Sequence, residues 1–541
     1  MERHLATVWE SIADAAGDSI ALVQGERQIS WRAYDDRAAR LASGFTAAGL
    51  GAGSKVALYL YNAPEYCEAY YAALKLRAIP ANVNYRYLDE ELLHLLEDSE
   101  AEALVFHASL GDRVERVRTR ARKLRMLVEV ADGAPEAVAT ATAYEQVVAT
   151  HPPAKRIERS PDDATMLYTG GTTGLPKGVL GRVGAVVDTA MSAVPPLLGS
   201  APLTDPAQIA AVVRKGFEDR RQIVSLPACP LMHGTGMGIG TLPAMTFGSK
   251  TVLLVGRGLD ADEVWSSVER HGVRSLTIVG DAFARPLLRA LREGPPRNLD
   301  TLQLMLSAGA MFSTEVKQGL FAYAPGLMII DYIAASEAAM GASISTKASL
   351  ACTGHFKPGP NVKVFCEDGG EVAPGSGEMG MIGVSGAIPD GYYRDAAKTA
   401  KTFRSIDGTR YSFPGDWATV EADGSLVLLG RGSQCINTGG EKVFPEEVEE
   451  AVKRYPGIDD CLIFGVPDER FGQRVVGVVS AAPGAEVKAD AVLASLRERI
   501  ATYKVPRRLV VVSPVPRAAN GKADYPAARR LFEAASQDGD A

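Results

Sequence analysis

The chain has 541 residues, 46% hydrophobic and 23% charged, with a formal net charge of -7. That length exceeds a single core and predicts two or more domains, and the apolar content excludes a disordered chain. A negative balance without a basic run argues against nucleic acid as a partner.

Six cysteines (Cys67, Cys229, Cys352, Cys366, Cys435 and Cys461) are scattered without paired spacing. They read as reduced thiols of a cytoplasmic protein, with neither a zinc site nor a disulfide framework. The opening Met1-Glu2-Arg3-His4-Leu5 lacks a basic region followed by an apolar core, and no apolar run approaches the length of a membrane span. No signal peptide and no transmembrane segment are expected. Peripheral membrane contact and a homodimer stay open.

Residues 1–160 alternate helical and strand patterns. Ser30-Trp31-Arg32-Ala33-Tyr34 opens a helix that ends near Gly49. Strands are predicted at 55–60, 103–106 and 126–130, and an amphipathic helix at 65–76. Strands separated by helices indicate βαβ units and a largely parallel sheet.

An apolar strand, Thr165-Met166-Leu167-Tyr168, then runs into Thr169-Gly170-Gly171-Thr172-Thr173-Gly174-Leu175-Pro176-Lys177-Gly178. Glycine lets backbone N–H groups approach an anion, the threonine hydroxyls add donors, and Lys177 adds a mobile positive charge. The loop therefore predicts phosphate, as in a nucleoside triphosphate. It is not a Walker A loop, because Pro176 precedes Lys177 and Gly178 follows it.

Residues 183–194 read as a helix stopped by Pro195-Pro196. A helical piece is predicted near 207–217. Strands follow at 223–226, 251–255, 276–279, 302–306 and 327–330, alternating with helices at 262–271 and 283–291. This is a second α/β half. From 361 to 429, short apolar runs separated by Gly, Pro and Asp are all-β in character and predict a small barrel. Beyond Gly430-Arg431-Gly432-Ser433 come a helix at 446–455, strands at 461–466, 475–480 and 509–512, and a helix at 489–500. These predict a separate α+β domain. The tail 537–541 is expected to fray.

Other stretches join the Gly-Thr loop: Ile333-Ala334-Ala335-Ser336-Glu337-Ala338, Tyr411-Ser412-Phe413-Pro414-Gly415-Asp416, Leu429-Gly430-Arg431, Ile436-Asn437-Thr438-Gly439-Gly440-Glu441-Lys442-Val443-Phe444-Pro445-Glu446-Glu447-Val448-Glu449, and Asn520-Gly521-Lys522. In this order they resemble the adenylate-forming superfamily of acyl-CoA synthetases, nonribosomal-peptide adenylation domains and luciferases, over nearly the whole chain. The resemblance implies an α/β fold. A large N-terminal domain (1–431) would hold two α/β halves plus a small β-barrel, and a small mobile C-terminal α+β domain (432–541) would follow. It implies two half-reactions: a carboxylic acid and ATP give acyl-AMP and pyrophosphate, and CoA then takes the acyl group.

The implied roles follow the motifs. Thr169, Gly170, Gly171, Thr172, Thr173, Gly174 and Lys177 would hold the β- and γ-phosphates. Glu337 matches the magnesium-binding glutamate, and Ser336 would bond the α-phosphate. Taken by themselves, these two also fit a helix N-cap with a first-turn carboxylate. Asp416 would accept hydrogen bonds from both ribose hydroxyls, and Arg431 would support ribose and phosphate. Lys522 would bridge the acyl carboxylate and the α-phosphate, where a cation between two anions lowers the barrier. His233 matches an acyl-site position that shapes the tunnel without acting as a base. Ser433 stands at the hinge, where the family has Asp or Lys. Gly439 and Gly440 would meet the pantetheine of CoA, and Lys442 would belong to the cofactor-binding set.

The small residues of 279–282, 307–310 and 334–335, including Gly280, Ala308, Gly309 and Ala334, fit either a wide apolar acyl cavity or ordinary packing. Three departures bear on the acid. Ile333-Ala334 replaces the usual Tyr-Gly, Gly181-Arg182-Val183 replaces Thr-His, and the stretch around 198–221 is long. Residues 275–286 and 432–442 are similar to actinobacterial acyl-CoA ligases for steroid side-chain or fatty acids. Two alternatives stay open: a ligase delivering acyl-AMP to another acceptor, and a non-catalytic acyl or nucleotide sensor. A sensor would be expected to have lost Lys522 or Glu337, and both are present.

Overall fold

The computed structural model describes the chain except residues 136–137, 170–175, 439–440, 469–471, 501, 519–520 and 538–541, and describes no side chain at 433, 437, 441, 442, 472, 536 or 537. An eight-stranded sheet runs in the order Gly391–Tyr392, Lys177–Arg182, Ala164–Thr169, Ile79–Asn82, Lys55–Tyr59, Ala103–His107, Met126–Val130, Thr142–Ala143. From Ala164–Thr169 onward the strands are parallel. The other two pair antiparallel. Every residue of Ala103–His107 is buried. A strand covered on both faces needs a continuous apolar run, and that is what its sequence shows.

A second sheet has a parallel centre: Ile20–Gln24, Lys250–Leu253, Val224–Pro227, Ser275–Ile278, Leu304–Ala308 and Met328–Ala335. The all-β stretch expected as a small barrel grows out of this sheet. Ala338–Ser345 turns back on Met328–Ala335, His355–Pro358 pairs with it, and Leu426–Arg431, Asp416–Val420 and Met379–Val384 continue the antiparallel run. A third sheet of five strands contains Ile436–Thr438, Ile458–Asp468 and Gly472–Ala481. The helices Pro445–Lys453, Ala489–Arg497 and Tyr525–Gln537 belong with it, giving the expected α+β texture.

Two local readings are corrected. Pro195 and Pro196 do not stop the helix before them; it runs Val183–Leu197 with both inside. Pro195 has no N–H for the carbonyl of Met191, and the N–H of Leu203 donates to that carbonyl at 3.0 Å instead. The returning chain thus satisfies the acceptor that proline leaves open. Ser336 and Glu337 are not a helix N-cap either. They form the two-residue turn of a hairpin whose flanking residues Ala335 and Ala338 pair.

The strand that feeds the Gly-Thr loop is anchored by buried charge. Glu10 accepts from Lys75 at 2.9 Å and from Arg159 at 2.9 Å, and Lys75 also donates to Asp35 at 2.7 Å. Arg77 holds Asp163 at 2.9 Å. These contacts tie the helices Leu5–Ala16, Trp31–Ala47 and Pro64–Lys75 to residues just ahead of Ala164–Thr169. Glu10→Gln would leave two buried cations around a neutral amide. Breaking a buried pair in this way costs about 3–5 kcal/mol. A clear fall in the denaturant midpoint is expected, and an unchanged midpoint would contradict the assignment.

Candidate active site

The candidate residues gather at the carboxyl ends of the parallel strands, where open α/β sheets place ligands. Two asparagines set the local geometry. Asn82 accepts from Tyr168 N at 2.6 Å and donates to Tyr168 O at 3.0 Å and Met232 O at 2.5 Å. Asn62 accepts from Leu231 N at 2.8 Å and donates to Cys229 O at 3.1 Å. The segment carrying His233 is therefore clamped to the first sheet beside the strand that enters the Gly-Thr loop.

Thr169 pairs with Lys177, closing a hairpin around the loop. Gly170, Gly171, Thr172, Thr173 and Gly174 lie outside the described residues. The Lys177 ammonium stands 3.5 Å from Asp395. Asp395 also caps the helix Ala396–Thr402, and the Lys398 N–H and then the Lys177 charge hold its carboxyl below the usual range. Glu337 accepts from the Tyr392 hydroxyl at 2.5 Å. Burial first, and then the Glu337 carboxylate, keep that phenol protonated. Because Tyr392 pairs with Val179, the first sheet brings Lys177 and the partner of Glu337 together.

Asp416 and Arg431 face each other across two strands, with Arg431 Nε 3.4 Å from Asp416 Oδ1. Asp416 is buried, and among the described residues its Oδ2 has no hydrogen-bond partner. Burial raises its carboxyl pKa, against the pull of Arg431. The site thus holds a shielded acceptor ready for donors.

Lys522 arrives from the C-terminal part of the chain. Its Cε lies 3.5 Å from where a Cβ on Gly309 would stand. The side chain keeps accessible surface because it projects into the cavity. Desolvation and the Arg431 guanidinium lower its pKa, while Glu337 and Asp416 support its charge. The turn ahead of it is braced: Arg517 bonds Asp460 at 2.7 Å and donates to Gly521 O at 3.1 Å. Gly521 has φ +74°, and a Cβ there would stand 3.0 Å from Cβ of Ala282. Only glycine suits both that conformation and that approach.

A cavity of about 1290 Å³ opens from this cluster. Thr169, His233, Ala308, Gly309, Ala334 and Lys522 line it, and Ser336 reaches it from the hairpin turn. Desolvation, then the charges of Lys522 and Arg86, push His233 down to about 3, so its imidazole is neutral at physiological pH. Gly280 does not line the cavity although Val279 does; a Cβ at 280 would meet the Met311 carbonyl at 2.4 Å, which is a packing reason for glycine. Gly439 and Gly440 lie outside the described residues. For Ser433 and Lys442 only the backbone is described, a 3-10 turn at Gly432–Gln434 and the strand Glu441–Val443. Sequence reasoning missed Tyr392, Asn82, Asn62, Asp395 and the Arg517–Asp460 brace. Tyr392 lies 55 positions from Glu337, and no local spacing links them. Asn82 ends the strand Ile79–Asn82, which the sequence reading did not identify.

Glu446, on the helix Pro445–Lys453, packs against the strand Leu426–Arg431. It is half-buried against the end of Leu426–Arg431, where a Cβ on Gly430 would stand 2.0 Å from its Oε2. Burial and then Glu449 push its carboxyl up to about 8 from an ordinary 4.5. A raised acid favours the buried arrangement when protonated, so this packing is strongest below about pH 4.5 and weakens as pH rises through about 8. Glu446→Gln is expected to flatten the pH dependence of pyrophosphate release between about pH 4.5 and pH 8. A slope like the wild type's would contradict this role.

The profile of AMP-binding enzymes matches residues 9–393, and that of the AMP-binding enzyme C-terminal domain matches 447–522. The 3-oxocholest-4-en-26-oate–CoA ligase of Rhodococcus rhodochrous is 38% identical over 97% of this chain and 95% of its own length. The medium-chain acyl-CoA ligase Mig of Mycobacterium avium is 39% identical over 96% of this chain and 97% of its own. In structure, the anthranilate CoA ligase AuaEII bound to anthranoyl-AMP shares the fold, with TM-score 0.83 at 20% identity, covering 98% of this chain and 97% of that one.

Proposed function

As a member of the AMP-binding enzyme family, the chain is an AMP-forming acid–CoA ligase, and we propose that its acid is a long-chain fatty acid or a steroid side-chain acid. In the first half-reaction the carboxylate oxygen attacks the α-phosphorus of ATP, and the bond to pyrophosphate breaks. In the second, the CoA sulfur attacks the acyl carbonyl carbon, and AMP leaves. The observation that carries the reading is the meeting of Lys522 with Glu337, Asp416 and Arg431 at one end of a long apolar cavity. The substrate classes are supported by relatives that act on fatty acids and on 3-oxocholest-4-en-26-oate, and by a cavity larger than the 300–1,000 Å³ common for drug-sized ligands.

Lys522 draws the acid carboxylate to the α-phosphate, and a cation fixed between two anions stabilises the charge that develops there. Asp416 takes the ribose hydroxyls on its free oxygen, with Arg431 beside it. Thr169 to Lys177 steady the departing pyrophosphate, and Ser336 bonds the α-phosphate. Neutral His233 shapes the acyl channel. Mg²⁺ usually takes one or two carboxylates plus phosphate oxygens. Among the described residues no group of three His, Cys, Asp or Glu stands ready to hold a metal unaided, and the lone Glu337 fits that sparse style. Bound there, Mg²⁺ would neutralise phosphate charge.

The reading divides the chain at 431/432 and uses Ser433, beside Gly432, as the pivot on which residues 432–541 swing. The swing withdraws Lys522 and turns Gly439, Gly440 and Lys442 toward the pantetheine of CoA. No helix among the described residues is long and apolar enough to cross a membrane. The free cysteines support a cytoplasmic enzyme.

Pyrophosphate release with ATP, Mg²⁺ and a panel of fatty and steroid side-chain acids tests the substrate class. Equal turnover of short, aromatic and long acids would overturn it. Lys522→Ala is expected to slow adenylation by about 10²–10³-fold, the usual cost of losing one transition-state donor. Conversion of preformed acyl-AMP to acyl-CoA should be largely spared. Equal loss in both half-reactions would contradict the role of Lys522.

A further inference from the structure

The cavity does not end where an acyl chain begins. It runs along one face of Ser275–Ile278, Leu304–Ala308 and Met328–Ala335, from Gly309 and Lys522 at their carboxyl ends to Arg274 and Gln303 at their amino ends. Six residues separate Gly309 from Gln303, which is about 20 Å at 3.3 Å per residue. The walls between are apolar: Leu304, Leu306 and Met328 on the sheet, Val194 and Leu197 on the helix Val183–Leu197.

The far end changes character. Arg274 lines it half-buried, with Arg221 beside it at the surface. The main chain of Arg274 is pinned from both sides: its N–H donates to Val224 O at 2.9 Å, and its carbonyl accepts from Gln303 at 3.0 Å and Leu304 at 2.9 Å. Neither guanidinium has a hydrogen bond or an ion pair among the described residues. The carboxylates on the cavity wall do not answer them. Asp188 is taken by Arg3 at 3.0 Å, Asp162 by Arg182 at 2.8 Å, and Asp390 by Arg182 at 2.9 Å. A half-buried cation at the end of an apolar channel is poorly compensated until an acceptor reaches it.

We propose that Arg274, assisted by Arg221, is a specificity determinant that receives an oxygen acceptor at the end of the acid remote from the carboxyl being activated. The inference rests on reading this cavity as the acyl channel. A plain alkyl terminus leaves the guanidinium unanswered, whereas a remote ketone or carboxylate accepts its hydrogen bonds.

The test compares kcat/KM for two acid pairs: 3-oxocholest-4-en-26-oate against the same acid without the 3-oxo group, and hexadecanedioate against hexadecanoate. Wild-type enzyme is expected to favour the oxygen-bearing member of at least one pair by about tenfold or more, as a hydrogen bond to a charged group allows. The responding pair identifies the acceptor as ring ketone or terminal carboxylate. Arg274→Met should bring that ratio near one through KM rather than kcat, Arg274→Lys should retain part of it, and Arg221→Met should lower it less. Ratios near one for both pairs in the wild type, or a ratio kept in Arg274→Met, would overturn the inference while leaving the ligase reading intact. Absence of pyrophosphate release with all four acids would overturn the acyl-channel reading and this inference with it.

Discussion

The site is built around one electrostatic constraint. A lysine from the end of the chain must hold its charge in a desolvated site that already contains an arginine. Desolvation and Arg431 oppose the Lys522 ammonium; Glu337 and Asp416 support it. Two carboxylates and two cations thus share one end of the cavity. An incoming carboxylate and phosphate add negative charge, and Lys522 is the cation that can stand between them. This is how a site can be selective for bringing two anions together.

Delivery of Lys522 rests on shape more than on ion pairs. Gly521 lets the turn press against Ala282 and Phe283, Arg517 and Asp460 stiffen the turn from behind, and Glu446 lies on Gly430 at the other side. Arg289 and Asp459 add a half-exposed pair at 2.9 Å. Such a pair is worth on the order of 1 kcal/mol or less. A contact held mainly by close approach and one protonatable carboxyl is one that the proposed swing can release without breaking a large core.

Much of this was legible in the sequence because the signals were local. Parallel strands announce themselves as apolar runs, and the run 126–130 coincides with the strand Met126–Val130. The Gly-Thr loop, the Ser336-Glu337 pair, Asp416 and Lys522 lie in ordered motifs. What the sequence hid was set by tertiary pairing. Pro195 and Pro196 look like a stop, yet the helix tolerates them because Leu203 returns from outside it. Gly280 fits either an acyl wall or ordinary packing in sequence, and the close Met311 carbonyl gives a packing reason for glycine. Tyr392, Asn82 and Arg274 act through partners dozens of positions away or through a cavity end, which no window of sequence contains.

The most direct test of the central claim is to lock the docked arrangement. Arg289 and Asp459 face each other across the contact. Cysteines at both positions, with exposed Cys352 replaced by serine, can be joined by a short bifunctional thiol crosslinker. The account predicts that the bridged enzyme, given ATP and its acid, releases about one pyrophosphate per site, the count a single adenylation allows. It should form no acyl-CoA until the bridge is cut. Acyl-CoA formation by the bridged enzyme at the unbridged rate would contradict it.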